Sequence, residues 1–285
     1  MELIKNYMTD PKLRHKLNDL AHRTFYIDFE DWVAGGWFQG DYIPYSFFDG
    51  GSLASNASAN IMTFDQNGKR RSYIQIGTVM TDEKYRGRGL ARFLIERILE
   101  DYKSFDGVYL FGNLTALGFY RKLGFGEMLQ YKYSIKPEFC KNENESGFKP
   151  ASPNLKQKYL DAVRYSAVNS SLEQVNKFGL QMFYTADLSE VYYAEDIDCF
   201  AVLERCGNSV KLKSIISTLR IPLKDVVSRI SADSISLGFS PCPDDLYMCS
   251  GEPYDGADDY RLFFKGEKLR NIETGKLYFP ELSHA

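Results

Sequence analysis

Residues 71–92 read RSYIQIGTVMTDEKYRGRGLAR, and this stretch decides the fold. Its first part, 71–80, is rich in β-branched residues and predicts a long strand. From Leu90 onward the apolar residues recur at helical spacing, with charged residues on the opposite face, so a helix is expected there. A turn of alternating arginine and glycine, 86–89, joins the two elements. The stretch therefore predicts a strand, a tight loop and a helix in direct succession.

The loop has the properties of an anion site. Gly87 and Gly89 let the backbone turn tightly and leave nothing in the way of a ligand. The N–H groups of the loop and of the first helical turn point outward, and the helix dipole adds partial positive charge. Arg86, Arg88 and Arg92 could add further charge, so the loop suits a diphosphate. The alternative is a basic surface turn that merely caps an amphipathic helix.

The neighbouring sequence predicts a mixed α/β layer fold. Upstream, the patterns indicate helices at 9–22 and 28–33 and strands at 42–48 and 52–64, with Thr9 or Asp10 as the first helix cap. Downstream they indicate a strand at 107–111, a helix at 115–123 and a strand at 127–135. This order of elements is typical of an α/β (α+β) architecture with a mixed sheet. Helices come first, strands follow, and helix, strand, helix and strand end the region.

With these elements in place, the sequence resembles the GCN5-related N-acetyltransferase (GNAT) superfamily. VMTDEKYRGRGLA resembles its central motif, with Arg86, Gly89 and Ala91 at the motif positions. NLTALGFYRKLGF resembles its second motif and follows in the right order, about 25 residues later. The resemblance covers roughly residues 1–135. YIPYSFFDGG, together with GTVMTDEKYRGRG, also resembles the tandem acetyltransferases of the enhanced-intracellular-survival type, in which a degenerate acetyltransferase domain follows the active one.

The resemblance implies a role for each matching residue. The end of the strand would pair through its backbone with the pantetheine arm of acetyl-CoA, and the loop would hold the pyrophosphate. Asn113 would contact the cofactor arm, and Tyr120 would be the catalytic acid that protonates the departing thiolate. The implied cofactor-binding residues are Val79, Met80, Thr81, Arg86, Gly87, Arg88, Gly89, Leu90, Ala91, Arg92 and Asn113.

A polar segment with three prolines, 137–153, is interpreted as a linker between two domains. Residues 1–136 would be the acetyl-CoA-binding GNAT catalytic domain. Residues 154–285 repeat its order of elements, with helices near 154–167 and 171–183, strands near 190–195, 198–205 and 209–217, a helix at 221–230 and strands at 234–239 and 260–264. They lack a glycine loop and an Asn…Tyr motif, so we expect a degenerate GNAT-like domain that binds no coenzyme A. An unrelated α+β accessory domain is the alternative.

Composition limits the function further. The net charge is −3, so no basic excess favours nucleic acid, and a mildly acidic surface suits cationic amines. Five Cys without a CxxC spacing and three His argue against a metal site. The N-terminus has no apolar signal core and no run is long enough to span a membrane. A cytoplasmic protein with no membrane or nucleic-acid partner is expected.

These observations predict an N-acetyltransferase that passes an acetyl group directly from acetyl-CoA to a primary amine of a small molecule or peptide. A backbone N–H near Met80 is expected to hold the thioester oxygen. The base is not identified: Glu30, Asp31 and Asp41 lie in the segment expected near the acceptor pocket, with ordinary surface acids as the alternative, and a water chain can also remove the proton. In the tandem family the chain end, here Ala285, can reach the active site. A non-catalytic acyl-CoA sensor and a protein-interaction scaffold stay as alternatives, and a homo-oligomer is a possible assembly.

Overall fold

A computed structural model describes residues 1–140 and 147–285, so residues 141–146 of the predicted linker lie outside the described residues. The strands are β1 Glu2–Lys5, β2 Tyr42–Asp49, β3 Ser52–Gln66, β4 Lys69–Thr81, β5 Gly107–Asn113, β6 Gly126–Glu127, β7 Gln130–Ile135, β8 Lys149–Pro150, β9 Leu172–Gln174, β10 Val191–Ala194, β11 Cys199–Cys206, β12 Ser209–Ile216, β13 Ser234–Leu237, β14 Cys249–Tyr254 and β15 Tyr260–Lys265. The α-helices are α1 Pro11–Phe25, α2 Glu30–Ala34, α3 Leu90–Asp101, α4 Leu117–Lys122, α5 Pro137–Cys140, α6 Lys156–Arg164, α7 Phe178–Thr185, α8 Leu223–Val227 and α9 Arg270–Thr274.

The first helix begins where its sequence signals predicted. The Asp10 side chain accepts hydrogen bonds from the backbone N–H groups of Lys12 and Leu13, so Asp10 rather than Thr9 is the cap. Pro11 occupies the first turn, where no N–H is needed. Helix α1 then runs three residues beyond the predicted end at His22 and stops at Tyr26, which adopts a left-handed conformation.

The first sheet has the strand order β1-β2-β3-β4-β5-β15-β6, and β9 pairs with the free edge of β3. Strands β1 to β4 are antiparallel neighbours, whereas β4 and β5 are parallel. Helix α3 makes the crossover between β4 and β5. Its apolar stripe, Leu94, Ile95 and Ile98, is fully buried and packs in one cluster with Ile74 and Ile76 of β4.

The second sheet repeats this plan. Its order is β14-β7-β13-β12-β11-β10-β8, and its one parallel pair, β12 with β13, is again joined by a helix, α8. All other neighbours that the described residues form in this sheet are antiparallel. The predicted fold class, a mixed α/β unit followed by a second α+β unit of the same plan, is therefore confirmed.

The two sheets exchange a strand at equivalent positions. Strand β15, from the C-terminal half, lies between β5 and β6 of the first sheet, and β7, from the N-terminal half, lies between β13 and β14 of the second. The single strand predicted at 127–135 is wrong, because the chain crosses between the sheets at Met128 and Leu129. The division into 1–136, 137–153 and 154–285 stays a prediction about folding units, since the sheets share strands across it.

Other differences have local causes. The helix predicted at 171–183 is replaced at its start by β9, which pairs with β3 at Phe64, Asp65 and Gln66. Strand β2 pairs no further along β3 than Asn60, so this part of the β3 edge is open to another strand. Strands β1 and β14 and helix α9 had no clear periodic signal, because each is only four to six residues long.

Candidate active site

Strands β4 and β5 separate within the first sheet and form a wedge. They pair only at Tyr73–Gly107, Ile74–Val108 and Gln75–Tyr109. Beyond that point β4 continues to Thr81 and β5 to Asn113 without pairing to each other. The predicted backbone-binding residues, Val79 to Thr81, lie on this part of β4. An extended chain can enter such a wedge and hydrogen-bond to the free strand edge.

A β-bulge shapes the β4 side of the wedge. Ser58 pairs with Gly77 and Asn56 with Met80, so Thr78 and Val79 together lie opposite one residue of β3. Thr78 has a φ of 48°, an unfavourable angle for a β-branched residue. The Asn56 amide donates to the Thr78 carbonyl over 2.9 Å, and the Thr78 and Tyr42 hydroxyls hydrogen-bond over 2.9 Å. The buried side chains of β3 and its neighbours thus hold the bulge.

The loop that follows β4 leaves backbone N–H groups available. Gly87 and Gly89 have φ angles of 77° and 76°, and a Cβ built on either would touch nothing within 4 Å. Gly89 precedes helix α3 without any side chain capping the helix in the described part of the chain. The side chain of Leu90 is buried, so only its backbone faces this end of the helix. The loop is therefore an open helix N-terminus.

The three arginines near this loop are exposed. Arg86 contacts Glu83 over 3.5 Å, and Arg92 contacts Glu96 over 2.8 Å. Arg88 donates to the Lys84 carbonyl over 3.0 Å. Exposed pairs of this kind contribute little to stability, so the guanidinium groups can turn toward an anion at little cost.

Tyr120 lies at the wedge on the side of helix α3. Its ring is 5.3 Å from that of Phe263, and a Cβ built on Gly112 would lie 3.0 Å from it, so glycine at 112 makes room for the ring. Among the described residues its hydroxyl has no hydrogen-bond partner. Burial raises the pKa of Tyr120 to about 12, so the phenol keeps its proton at neutral pH.

Asn113 ends β5 at the mouth of the same wedge and is exposed. Its side-chain oxygen accepts a hydrogen bond from the backbone N–H of Thr115 over 3.2 Å. This contact orients the side-chain amide and starts the turn that leads into α4, so Asn113 also helps to place Tyr120.

An aromatic cavity opens on the opposite face of the first sheet. It encloses about 640 Å³, its open mouth included, between the sheet and helices α2 and α7. The lining residues are Ile27, Phe29, Trp32, Gln39, Asp41, Tyr42, Asn60, Ile61, Met62, Thr78, Gln174, Asn176, Gly179, Leu180, Phe183, Tyr184, His284 and Ala285. Since Thr78 belongs to both the bulge and the cavity wall, the cavity reaches the wedge.

The three acids named from the sequence have different environments. Glu30 receives two hydrogen bonds of 2.9 Å from Arg14 and one of 2.7 Å from Asn18. Hydrogen bonding from Arg14 lowers the pKa of Glu30, as expected for a structural ion pair. Asp31 is exposed and does not line the cavity. Asp41 does line it, and burial raises the pKa of Asp41.

The last two residues of the sequence fill part of the cavity wall. The Ala285 oxygen accepts a hydrogen bond from Gln75 over 3.2 Å, and a Cβ built on Gly77 would lie only 2.4 Å from it. The His284 ring stacks on Phe111 at 3.8 Å, and its Nε2 has no partner among the described residues. Burial lowers the pKa of His284 to about 4. Sequence reasoning missed His284, because a lone histidine carries no motif.

Within 1–140 and 147–285, no group of three His, Cys, Asp or Glu is placed to hold a metal ion. No helix in these ranges is long and apolar enough to cross a membrane.

Comparison with known proteins agrees with this geometry. The family model described as Acetyltransferase (GNAT) family matches residues 5–125, a range that contains the wedge, the loop and Tyr120. Residues 5–125 therefore match the family that the sequence was predicted to resemble. A search among curated proteins found no match.

Solved structures share the fold over nearly the whole chain. A probable N-acyltransferase from Enterococcus faecalis is 15% identical, covering 95% of this chain and 74% of its own, with a TM-score of 0.57. A GCN5-related N-acetyltransferase from Kribbella flavida is 17% identical, and the match covers 93% of this chain and 72% of that protein, with a TM-score of 0.57. Eis1 from Mycobacterium abscessus is 14% identical, and the match covers 92% of this chain and 73% of that protein, with a TM-score of 0.56. The predicted resemblance to the tandem type is thus confirmed at the level of fold.

Proposed function

We propose that the chain is an acetyl-CoA-dependent N-acetyltransferase that passes the acetyl group directly to a primary amine. The observation that carries the proposal is the wedge between β4 and β5, with its unpaired β4 edge and the uncapped N-terminus of α3 after Gly89. A pantetheine arm has amide groups that can pair with a strand edge, and a diphosphate suits free N–H groups at a helix N-terminus. The cofactor-binding residues are those at 79–81 and 86–92, together with Asn113.

The reaction needs no covalent enzyme intermediate. The neutral amine nitrogen attacks the thioester carbonyl carbon, the C–N bond forms and the C–S bond breaks. The nitrogen passes its proton to water, since Glu30 is held in an ion pair with Arg14. The bulge at Thr78 and Val79 interrupts the β3–β4 ladder, and a backbone N–H there is our candidate donor to the thioester oxygen. Tyr120 supplies a proton to the departing thiolate, because its raised pKa keeps it protonated and its hydroxyl is not engaged elsewhere among the described residues.

Calorimetry with coenzyme A and a thiol-release assay with acetyl-CoA and a panel of amines test the proposal. We expect coenzyme A to bind the intact protein, and Gly89→Asp to abolish binding, since a carboxylate would oppose the phosphates and the substitution strains a φ of 76°. Gly207→Asp is the matched control: this turn glycine has a φ of 58°, touches nothing, and lies in the second sheet's β11–β12 hairpin. Binding without turnover of any amine would instead favour a sensor, and no binding would refute the proposal.

A further inference from the structure

The aromatic cavity is a preformed site. The rings of Phe29 and Tyr42 are 4.9 Å apart, and those of Trp32 and Phe183 are 5.8 Å apart. The Trp32 indole N–H donates to the Gly179 carbonyl over 2.7 Å, which fixes the orientation of its ring. Rings held in this way form an apolar wall that does not have to be ordered when a ligand binds.

One carboxylate enters this aromatic setting. Asp41 Oδ2 accepts a hydrogen bond from the Asn176 side-chain N–H over 3.2 Å. Asn176 is itself fixed, since it donates to the Ile61 carbonyl over 2.8 Å and accepts from the Thr63 N–H over 2.9 Å. Across the described ranges, Asp41 Oδ1 forms no hydrogen bond. No Lys, Arg or His nitrogen there lies within 4.0 Å of the Asp41 carboxylate, so Asp41 has no ion pair. The carboxylate has one neutral donor and no cationic partner.

The charge of the cavity is therefore uncompensated. No Lys or Arg is among its lining residues, and its histidine, His284, has a pKa lowered by burial and is neutral at pH 7. A carboxylate partly removed from water costs free energy unless it is paired. An ammonium group would pair with it, and the apolar aromatic wall around it would screen their attraction only weakly. A ligand carrying a carboxylate or phosphate would be repelled.

Asp41 is not at the point of acetyl transfer. It lies beside Ile61, whose N–H donates to the Asp41 carbonyl, and Ile61 pairs with Ile74 of β4. The bulge residue Thr78 is four residues further along β4, which corresponds to roughly 13 Å at the usual rise of a strand. An ammonium group held by Asp41 is thus separated from the nitrogen that attacks the thioester.

We propose that the acceptor is a slender aliphatic diamine or polyamine, with Asp41 binding the ammonium group that is not acetylated and the aromatic rings of the cavity lining its aliphatic chain. This inference rests on the proposed acetyl transfer at the wedge. It assigns Asp41 as a specificity-determining residue rather than a catalytic one.

The test compares two substrates that differ in one group, 1,8-diaminooctane and 8-amino-1-octanol, in the acetyl-CoA thiol-release assay. We expect the wild-type protein to prefer the diamine at least tenfold in kcat/KM, mainly through KM. Asp41→Asn should remove that preference by raising KM for the diamine to about that for the amino alcohol. Asp19→Asn, an exposed position on α1 with the same change of charge, is the control and should keep the preference.

Coenzyme A affinity is measured in parallel, so that the two proposals can fail separately. Equal kcat/KM for diamine and amino alcohol in a protein that binds coenzyme A overturns the polyamine inference and leaves acetyl transfer standing. The same comparison on the wild-type protein decides the matter if Asp41→Asn does not fold. Calorimetric binding of the diamine, lost in Asp41→Asn, in a protein that binds no coenzyme A would support the cation site and refute acetyl transfer.

Discussion

The side-chain amide of Asn56 is joined to the carbonyl of Thr78 by a hydrogen bond of 2.9 Å, and this bond ties the bulge of β4 to the interior of β3. Asn56 also accepts from the Ser46 hydroxyl over 2.7 Å and donates to that of Ser58 over 3.0 Å. The unfavourable backbone angle of Thr78 persists because this buried network holds it. The network therefore links the core of the first sheet to the proposed transfer site.

Replacing Asn56 by Ala should affect stability and activity together. The Ser46 hydroxyl and the Thr78 carbonyl each lose their hydrogen bond to Asn56. We therefore expect the free energy of unfolding to fall by about 1–3 kcal/mol. We also expect kcat to fall while coenzyme A affinity changes little, because the bulge is no longer held in place. Urea unfolding and steady-state kinetics measure the two effects. Asn208→Ala, at an exposed turn of the second sheet, should leave kcat unchanged, and an Asn56→Ala variant with wild-type kcat would contradict the role of the network.

Replacing Tyr120 by Phe should slow catalysis without loosening the fold. The variant loses one oxygen and keeps the ring packing against Phe263, so coenzyme A affinity should stay nearly intact. Loss of a general acid typically lowers the rate by about 10²–10⁴-fold, and we expect kcat to fall in that range. Tyr159→Phe removes the hydroxyl of a buried tyrosine in the second half and should leave kcat unchanged. Wild-type turnover by Tyr120→Phe would show that water or another residue protonates the thiolate.

The pH dependence of kcat should reflect the buried phenol. Because burial raises the pKa of Tyr120 to about 12, its proton is retained throughout the range from pH 6 to 9. Wild-type kcat should therefore show no alkaline decline in that range attributable to the acid. A decline near pH 8 that disappears in Tyr120→Phe would mean that the phenol ionises far more easily than its burial implies.

Glu30 should contribute to stability rather than to catalysis. Its pKa is lowered by hydrogen bonding from Arg14, so its contribution is present above the ordinary glutamate pKa, about 4.3, and is lost as the pH falls through the lowered value. Glu30→Gln leaves the buried Arg14 with a weaker partner, and we expect about 1–3 kcal/mol of destabilisation at pH 7 that shrinks below pH 4. Glu96→Gln, in the exposed pair with Arg92, should cost less than about 0.5 kcal/mol at either pH.

Gly77 should tolerate no side chain. A methyl group there would lie 2.4 Å from the Ala285 oxygen, so Gly77→Ala must displace residues 284 and 285 from the cavity wall. We expect the free energy of unfolding to fall by about 1–3 kcal/mol, and KM for the amine to rise. Gly118→Ala is the contrast, because a Cβ added at this helical glycine would meet no atom within 4 Å. Alanine there should stabilise the protein by about 0.4–1 kcal/mol. Equal effects of the two substitutions would contradict this account.

The sequence predicted the elements around residues 71–124 well because their signals are local. Glycines at 87 and 89 require positive φ angles, and the stripe of Leu94, Ile95 and Ile98 requires a helix packed on a sheet. The aromatic cavity could not be predicted in the same way. It joins Trp32, Tyr42, Phe183 and His284, whose sequence separation gives no periodic pattern. Asp41 was one of three candidate acids, and only burial and partners distinguish it from Glu30 and Asp31.

The exchange of strands was also beyond sequence patterns. Residues 127–135 alternate as one strand would, but alternation does not specify which sheet a strand joins. Phe263 shows the outcome, because it is fully buried in the cluster that contains Tyr120 and Leu94, although more than 130 residues separate it from either.

The position of β15 has a consequence for biosynthesis. The first sheet has a gap between β5 and β6 until residues 260–265 have been translated and have left the ribosome. Until then Gly112 and Tyr120 lack the packing of Phe263, so a nascent chain that already contains every residue of the wedge would still hold Tyr120, the proposed acid, in an incomplete wall. Acetyl transfer should therefore appear only after residues 260–265 have been synthesised, and a chain that stops before them would be inactive and would expose the unpaired edge of β5.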